Sequence, residues 1–192
     1  MTPDLDALLS SIGALLGRAV KDRRSALHTP VIATRGLDGL PKARVVVLRA
    51  YDPDAGTLRF HTDHRGNKIG ELAADPHLSF AFYDPHARIQ IRAETKATVH
   101  ADDAVADAAW ASSQRMSRVC YGVVPAPGTA IPGADHFHLP EDDASVAAGR
   151  ANFTAIVCTI LNLEYLFLRH GGHQRARFTR AGDHWQGVWL AP

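Results

Sequence analysis

Residues 58–68, "LRFHTDHRGNK", begin with Leu58 and Phe60 alternating with polar neighbours, as one buried face of a strand requires. They end by crowding Thr62, Asp63, Arg65, Asn67 and Lys68 ahead of an amphipathic run that starts at Ile69. A strand-to-helix corner presents free backbone N–H groups and the positive end of a helix dipole, both suited to a phosphate. Lys68 at a helix start opposes that dipole, and a bound anion removes the conflict. The corner therefore reads either as a solvated turn or as an anion cradle. Two arginines, Arg44 and Arg49, bracket the apolar run "RVVVLR". Five residues apart on a strand, they point to opposite faces and serve different partners. Gln90 shares a strand face with Arg92 in "RIQIRAE". It is either a solvent-facing residue or a donor to the carbonyl edge of a planar heterocycle.

The histidine pairs in "HTDH" and "HFH" match no helix-borne zinc pattern, and no metal site is expected. The nucleophile elbow, the Walker loop and the dinucleotide glycine fingerprint do not occur either.

Several elements must position these residues. A length of 192 residues with an ordinary apolar share suits one globular domain, residues 1–192. A net charge of +1 with no basic run gives no reason to expect nucleic acid. No apolar stretch reaches the roughly 20 residues of a membrane span, and the leucine-rich start carries Asp4 and Asp6, unlike a signal peptide. Cys120 and Cys158, both among apolar neighbours, read as buried free thiols of a cytoplasmic protein.

Leu5, Leu8, Leu9, Ile12, Leu15 and Leu16 predict an N-terminal helix over about 4–24, capped by Thr2 or Asp4. Strands follow in "ALHTPVIATRG", "KARVVVLRAYD" and "TLRFHT", the second expected to be buried on both faces because of its β-branched centre. A short helix, "NKIGELAADPH", ends at Pro76, and two strands, "LSFAFYD" and "ARIQIRAETKATVH", come next. A helix begins in "ADDAVADAAWASSQR", capped by Asp102 or Asp103, and leads to a long Pro- and Gly-rich loop at about 123–143. Three strands close the chain, the last two separated by the turn "AGD". Strands joined by short turns predict a mainly β protein, an antiparallel barrel with peripheral helices.

Taken in order, "RVVVLR", "LRFHTDHRGNK", "RIQIRAETKA" and the closing "HQRARFTRAGDHWQGVWLAP" resemble the pyridoxamine 5′-phosphate oxidase family, and more closely its FMN-binding, oxidase-related members. The similarity runs from about Pro30 to the last residue. It implies an FMN-binding split barrel that forms a homodimer with FMN between the subunits. By resemblance, Arg44 and Lys68 match phosphate ligands, and Val45, Val46, Val47 and Leu48, with Arg49 at their end, match the strand lying against the flavin. His61 and Thr62 match the paired positions after the next strand, and Gln90 matches a Gln near the ring. Arg177 matches the Arg that reaches the flavin from the partner subunit. Asn67 stands where the oxidase has Arg, and Arg65, two residues earlier, replaces that charge.

Other positions depart from the oxidase. Its substrate-binding Arg-x-His pair is replaced by His173-Gln174-Arg175, and its Tyr, Arg and Ser substrate triplet has no counterpart near "WASSQRMSR". The Gln-Ser pair that helps to hold FMN is replaced by "APGTA". The resemblance thus implies an FMN-dependent oxidoreductase for a small molecule other than the oxidase's own, with Arg49, His173 and Arg175 as substrate residues. The alternative is a flavin- or haem-binding carrier without turnover.

Overall fold

The computed structural model describes residues 4–182 and 184–192. Its architecture is mostly antiparallel β: nine strands in one sheet that curls into a split barrel, with helices at the periphery. The strands are β1 (Val31–Arg35), β2 (Pro41–Val45), β3 (Ala50–Asp52), β4 (Thr57–Asp63), β5 (His77–Asp84), β6 (Ile89–His100), β7 (Phe153–Phe167), β8 (Gln174–Ala181) and β9 (His184–Leu190). They lie in the order β2-β1-β5-β6-β7-β4-β3, with β8 on β7 and β9 on β8. Strand β7 is long enough to serve two neighbours on one edge. Its first half, Phe153–Thr159, pairs with β4, and its second half, Asn162–Phe167, pairs with β8. A register shift at Glu94/Thr95 of β6 lies opposite the place where β7 changes partner, as expected of a bulge that bends a sheet.

Helix α1 (Leu5–Lys21) buries Leu8, Ile12, Leu16 and Ala19, one stripe at helical spacing, against β3 and β9. It ends three residues earlier than expected, where Asp22 takes an extended backbone. Thr2 lies outside the described residues; Asp4 holds the cap position, but its side chain makes no capping bond. The core beneath is built on Phe60, Phe80, Phe82, Ile32, Leu48 and Ile91, all fully enclosed. Each such side chain contributes about 1.5–3 kcal/mol through burial.

Three local expectations are corrected. "RVVVLR" is not one strand buried on both faces. Strand β2 stops at Val45, and residues 46–49 run on beside the irregular lead-in to β1 and then reach β4: Val46 N–H bonds Pro30 O, Leu48 N–H bonds His28 O and Arg49 N–H bonds Arg59 O. Only Val46 and Leu48 face the core, while Val45 is 64% exposed. The helix expected from residue 101 is two pieces, α3 (Ala104–Ala111, capped by Asp103 onto Ala106 N–H) and α4 (Arg115–Arg118). Ser112 and Ser113 break it, their hydroxyls turned back onto Ala109 O, a competition that weakens helix interiors. Cys120 is exposed, whereas Cys158 is buried as expected. The long loop is present, but it ends in an unforeseen helix, α5 (Asp143–Ala148), capped by Asp142. The turn "AGD" includes Asp183, which lies outside the described residues. No described helix is long and apolar enough to cross a membrane.

Candidate functional site

The corner at residues 61–68 is built by β4 and the helix that follows it, α2 (Asn67–Ala74). Gly66 caps α2 with no side-chain hydrogen bond. Among the described residues no side chain caps the N–H groups of the first turn, and Lys68 curls back toward β4. The Lys68 Nζ donates to Thr62 Oγ1 at 2.6 Å. Burial, and then the nearby Arg44, lower the Lys68 pKa from its ordinary value. Two cations are thus held close enough to repel one another.

Arg44 reaches the same corner from β2. Its guanidinium donates to Glu71 Oε2 at 2.7 Å, to Lys42 O at 3.1 Å and to the Thr34 hydroxyl. Thr34 in turn donates to Glu71 Oε2 at 2.6 Å. Burial pushes the Glu71 carboxyl up, but the bonds from Thr34 and Arg44 outweigh it and hold the group below the usual carboxylate range. Glu71 was not anticipated: it lies 27 residues from Arg44, and nothing local in the sequence links them.

Arg65 is directed elsewhere. It forms a two-pronged pair with the buried Asp63 (Nη2–Oδ2 2.7 Å, Nε–Oδ1 3.0 Å) and donates to the carbonyls of Val123 and Val124 at 2.9 and 3.1 Å. It ties the start of the long loop to the corner. Asn67 is exposed at the first position of α2.

Strand alternation separates His61 from Thr62. Thr62 turns inward to Lys68, whereas His61 shares the opposite face with Arg59 and enters a polar pocket of about 280 Å³. Leu48, Arg49, Ser117 and Gln114 also line it. Burial first, then the charges of Arg59 and Arg49, push the His61 pKa down to about 3, so the ring is neutral at pH 7. Arg49 reaches Ser117 Oγ at 3.4 Å. Arg44 and Arg49 accordingly go to different places, as their spacing required. Arg59 escaped the sequence reading. The signal was the period of two around Phe60, which puts Arg59 and His61 side by side.

Gln90, Arg175 and Arg177 form a separate group. Gln90 pairs with Leu166 of β7, which pairs with Arg175 of β8. Two residues along, the buried Glu164 accepts from Arg92 at 2.5 Å and lies 3.0 Å from Arg175 and 3.6 Å from Arg177. Glu164 was also unforeseen, and it orients both strand arginines. His173 is exposed just before β8.

A family model described as pyridoxamine 5′-phosphate oxidase matches residues 16–145. The chain belongs to that family. A pyridoxine/pyridoxamine 5′-phosphate oxidase of Thermosynechococcus vestitus is 29% identical over 172 residues, covering 84% of this chain and 77% of its own. One from Sphingopyxis alaskensis is 39% identical over 88 residues, but the match spans only 46% of this chain and 39% of the relative. Among solved structures, an oxidase-related FMN-binding protein of Nostoc punctiforme superposes with a TM-score of 0.75 at 24% identity, covering 95% of this chain and 96% of its own. PhzG of Burkholderia lata, in complex with tetrahydrophenazine-1-carboxylic acid, does so with a TM-score of 0.71 at 18% identity, covering 100% and 98%. At these identities the structural likeness establishes the fold alone: the split barrel that the family resemblance implied.

The residues at the corner fit the phosphate of a flavin nucleotide. Arg44, Lys68 and Thr62 supply two cations and a hydroxyl beside the uncapped start of α2. A phosphate there would offset both the burial and the Arg44 repulsion that lower the Lys68 pKa.

Proposed function

We propose that the protein is an FMN-dependent oxidoreductase acting as a homodimer on a small anionic molecule other than pyridoxine 5′-phosphate. The convergence of Lys68 and Arg44 on the uncapped start of α2 carries the reading. Bound FMN would supply the redox chemistry; the protein's part is to hold, orient and enclose it. Arg44, Lys68 and Thr62 would hold the phosphate, and the 45–48 segment would lie along the ring. There Val46 and Leu48 N–H are occupied by Pro30 and His28, which keeps the backbone fixed. Gln90 and Arg177 sit at the other end of β7 from the Asp63–Phe153 pairing in the single chain, so their proposed flavin contacts require a second subunit. The exposed Val45 on the edge strand β2, with its exposed partner Val31, offers apolar surface for one.

The proposed change of substrate rests on the last strands. Arg175 is bound to Glu164 and His173 is exposed, so the pair is both reversed in order and differently directed. The absorption spectrum and mass of whatever co-purifies test the cofactor, with light scattering for the assembly. A flavin spectrum on a dimer, bleached by NADPH without oxygen, is the expected result. A Soret band, or a monomer that retains flavin, would refute the corresponding part.

A further inference from the structure

Residues 114–124 form a wall along the site that belongs to no strand. It begins at Gln114, runs through α4 and a 3₁₀ turn at Val119–Gly122, and ends at Val124. Gln114 and Ser117 line the pocket beside His61 with Leu48 and Arg49, the part of the chain assigned to the flavin ring. Val123 and Val124 meet the turn 63–65 at the other end, next to Thr62 and Lys68, which are assigned to the phosphate. The wall thus follows the proposed course of the cofactor from ring to phosphate. Its apolar anchor is small. Val119 and Tyr121 are its buried side chains, and Tyr121 joins Ala109, Phe153 and Ala155 in a cluster separate from the main core. Polar bonds must therefore fix much of its position. At the near end Arg23 donates to Gln114 Oε1 at 2.7 Å and Arg49 to Ser117 Oγ at 3.4 Å. At the far end Arg65 donates to Val123 O at 2.9 Å and to Val124 O at 3.1 Å. Beside it Asn152 Nδ2 donates to Tyr121 O at 2.8 Å, and His64 N–H donates to Asn152 O at 2.6 Å. A Cβ on Gly149 would lie 2.8 Å from Gly122 N, so glycine there lets the chain entering β7 press onto the backbone of the wall.

Resting on the flavin reading above, we infer that Arg65 is a positioning residue: it fastens the far end of this wall to the corner, and so slows release of the cofactor, without itself touching the phosphate. All three guanidinium nitrogens are engaged: Nε with Asp63, Nη2 with Asp63 and Val123 O, and Nη1 with Val124 O. Turning Arg65 toward a phosphate would break these bonds and strand Asp63, whose side chain is almost fully enclosed. The planar fork is what spans one carboxylate and two consecutive carbonyls; a lysine ammonium, with donors radiating from one point, cannot. Asp63 is thereby the fixed post and Arg65 the tie. Arg65 N–H also donates to Asp63 Oδ1 at 2.8 Å, and Gly66 N–H to Asp63 O at 3.1 Å. The turn that carries the tie therefore leads directly into the start of α2, where the phosphate is placed. A flavin held there sits behind a wall that must loosen before it can leave.

The test loads the full-length protein with FMN or with riboflavin and follows the fluorescence of flavin released on dilution. Arg65→Gln should speed release of both flavins by at least about tenfold, since the wall covers ring and phosphate alike. The ratio of FMN to riboflavin affinity should stay within about threefold of wild type, because no phosphate bond is lost. Arg65→Lys should give an intermediate release rate. Asn152→Ala frees Tyr121 O without touching a charge and should also speed release of both flavins; it serves if Arg65→Gln fails to fold. Hydrogen exchange over residues 114–124, measured without flavin, should quicken by at least about tenfold in Arg65→Gln while β5 stays protected. A loss confined to FMN would overturn the inference and make Arg65 a phosphate ligand. Unchanged release in both Arg65→Gln and Asn152→Ala would overturn it too, as would unchanged exchange in the wall. Quickened exchange in a protein whose wild type binds neither flavin would refute the proposed function and leave Arg65 as the tie of the wall.

Discussion

Replacing Lys68 by Met separates phosphate recognition from fold stability. The Lys68 ammonium is bonded to one side chain, Thr62, at 2.6 Å. Removing it costs the fold roughly 1 kcal/mol, the ordinary net value of one such bond. Toward FMN the loss is larger, because the proposed bond to the phosphate joins two charged groups: about 1.5–3 kcal/mol, or roughly 10- to 150-fold in affinity. Riboflavin has no phosphate, so its affinity should stay within about threefold. Quenching of flavin fluorescence measures both ligands in one assay. Equal losses for FMN and riboflavin would refute the cradle and leave Lys68 as a residue of the fold. The same titration has a pH signature. Burial and Arg44 lower the Lys68 pKa in the free protein, and a bound dianion favours the charged amine. FMN affinity should therefore be full below the free-protein value and fall as pH rises through it, and the Met variant should lack that slope. Arg44→Ala is a poorer probe. It strands the buried Glu71, whose loss of partner costs up to about 3–5 kcal/mol before any ligand is added. Pairing it with Glu71→Gln should recover most of that stability.

His61, with its pKa pushed down to about 3, should show ring NMR shifts that do not move between pH 5 and 8; a midpoint near 6.5 would contradict its enclosure. Because the unfolded chain takes up that proton first, His61 makes stability decline as pH falls from about 6.5 toward 3, and His61→Gln should flatten this limb in urea titrations. Glu164→Gln should destabilise the protein by about 1–3 kcal/mol, less than a fully buried pair because Arg92 and Arg177 are half-exposed. Added salt should restore part of the loss, and an unchanged urea midpoint would show that the three arginines do not need Glu164. Pyridoxine 5′-phosphate should be oxidised by the FMN-loaded protein at a trace rate at most, since a clamp misplaced by about 1 Å can cost on the order of 100-fold. Robust pyridoxal phosphate formation in an oxygen-coupled assay would show that His173 and Arg175 reproduce the missing pair.

Local periodicity made most strands and α1 legible, because one buried face imposes a period of two or 3.6 on the residues themselves. "LSFAFYD" became β5 with Leu78, Phe80 and Phe82 buried in turn. The same logic failed at "RVVVLR". A run of β-branched residues resembles a strand buried on both faces, whereas here the ladder lapses after Val45 because the neighbouring chain at His28 and Pro30 is the irregular lead-in to β1, and the run then passes to Arg59 of β4. Among the candidate site residues, those fixed by the corner were visible, and their partners were not. Glu71 and Glu164 act across 27 and 72 residues. Asp63 was in plain view two residues before Arg65, yet only the turn geometry that puts Arg65 N–H on Asp63 Oδ1 at 2.8 Å brings the two side chains together.

Those carboxylates also rank the arginines. Arg44 has Glu71, Arg65 has Asp63, and Arg92, Arg175 and Arg177 share Glu164. Arg65 is additionally bonded to two loop carbonyls, so its four contacts describe a structural strut better than a replacement phosphate ligand. Arg44 is bonded as well, but Lys68 adds a second cation beside it, leaving the corner with one positive charge beyond what Glu71 balances. Arg49 and Arg59 meet no carboxylate among the described residues that line their pocket, and the Arg49 guanidinium bonds only the Ser117 hydroxyl. A folded chain retains an unbalanced, half-buried charge at a cost in stability, and perturbed groups of this kind concentrate where a ligand completes them. By that reasoning the corner has room for one more negative charge, and a phosphate there would join the network that Arg44, Thr34 and Glu71 already form.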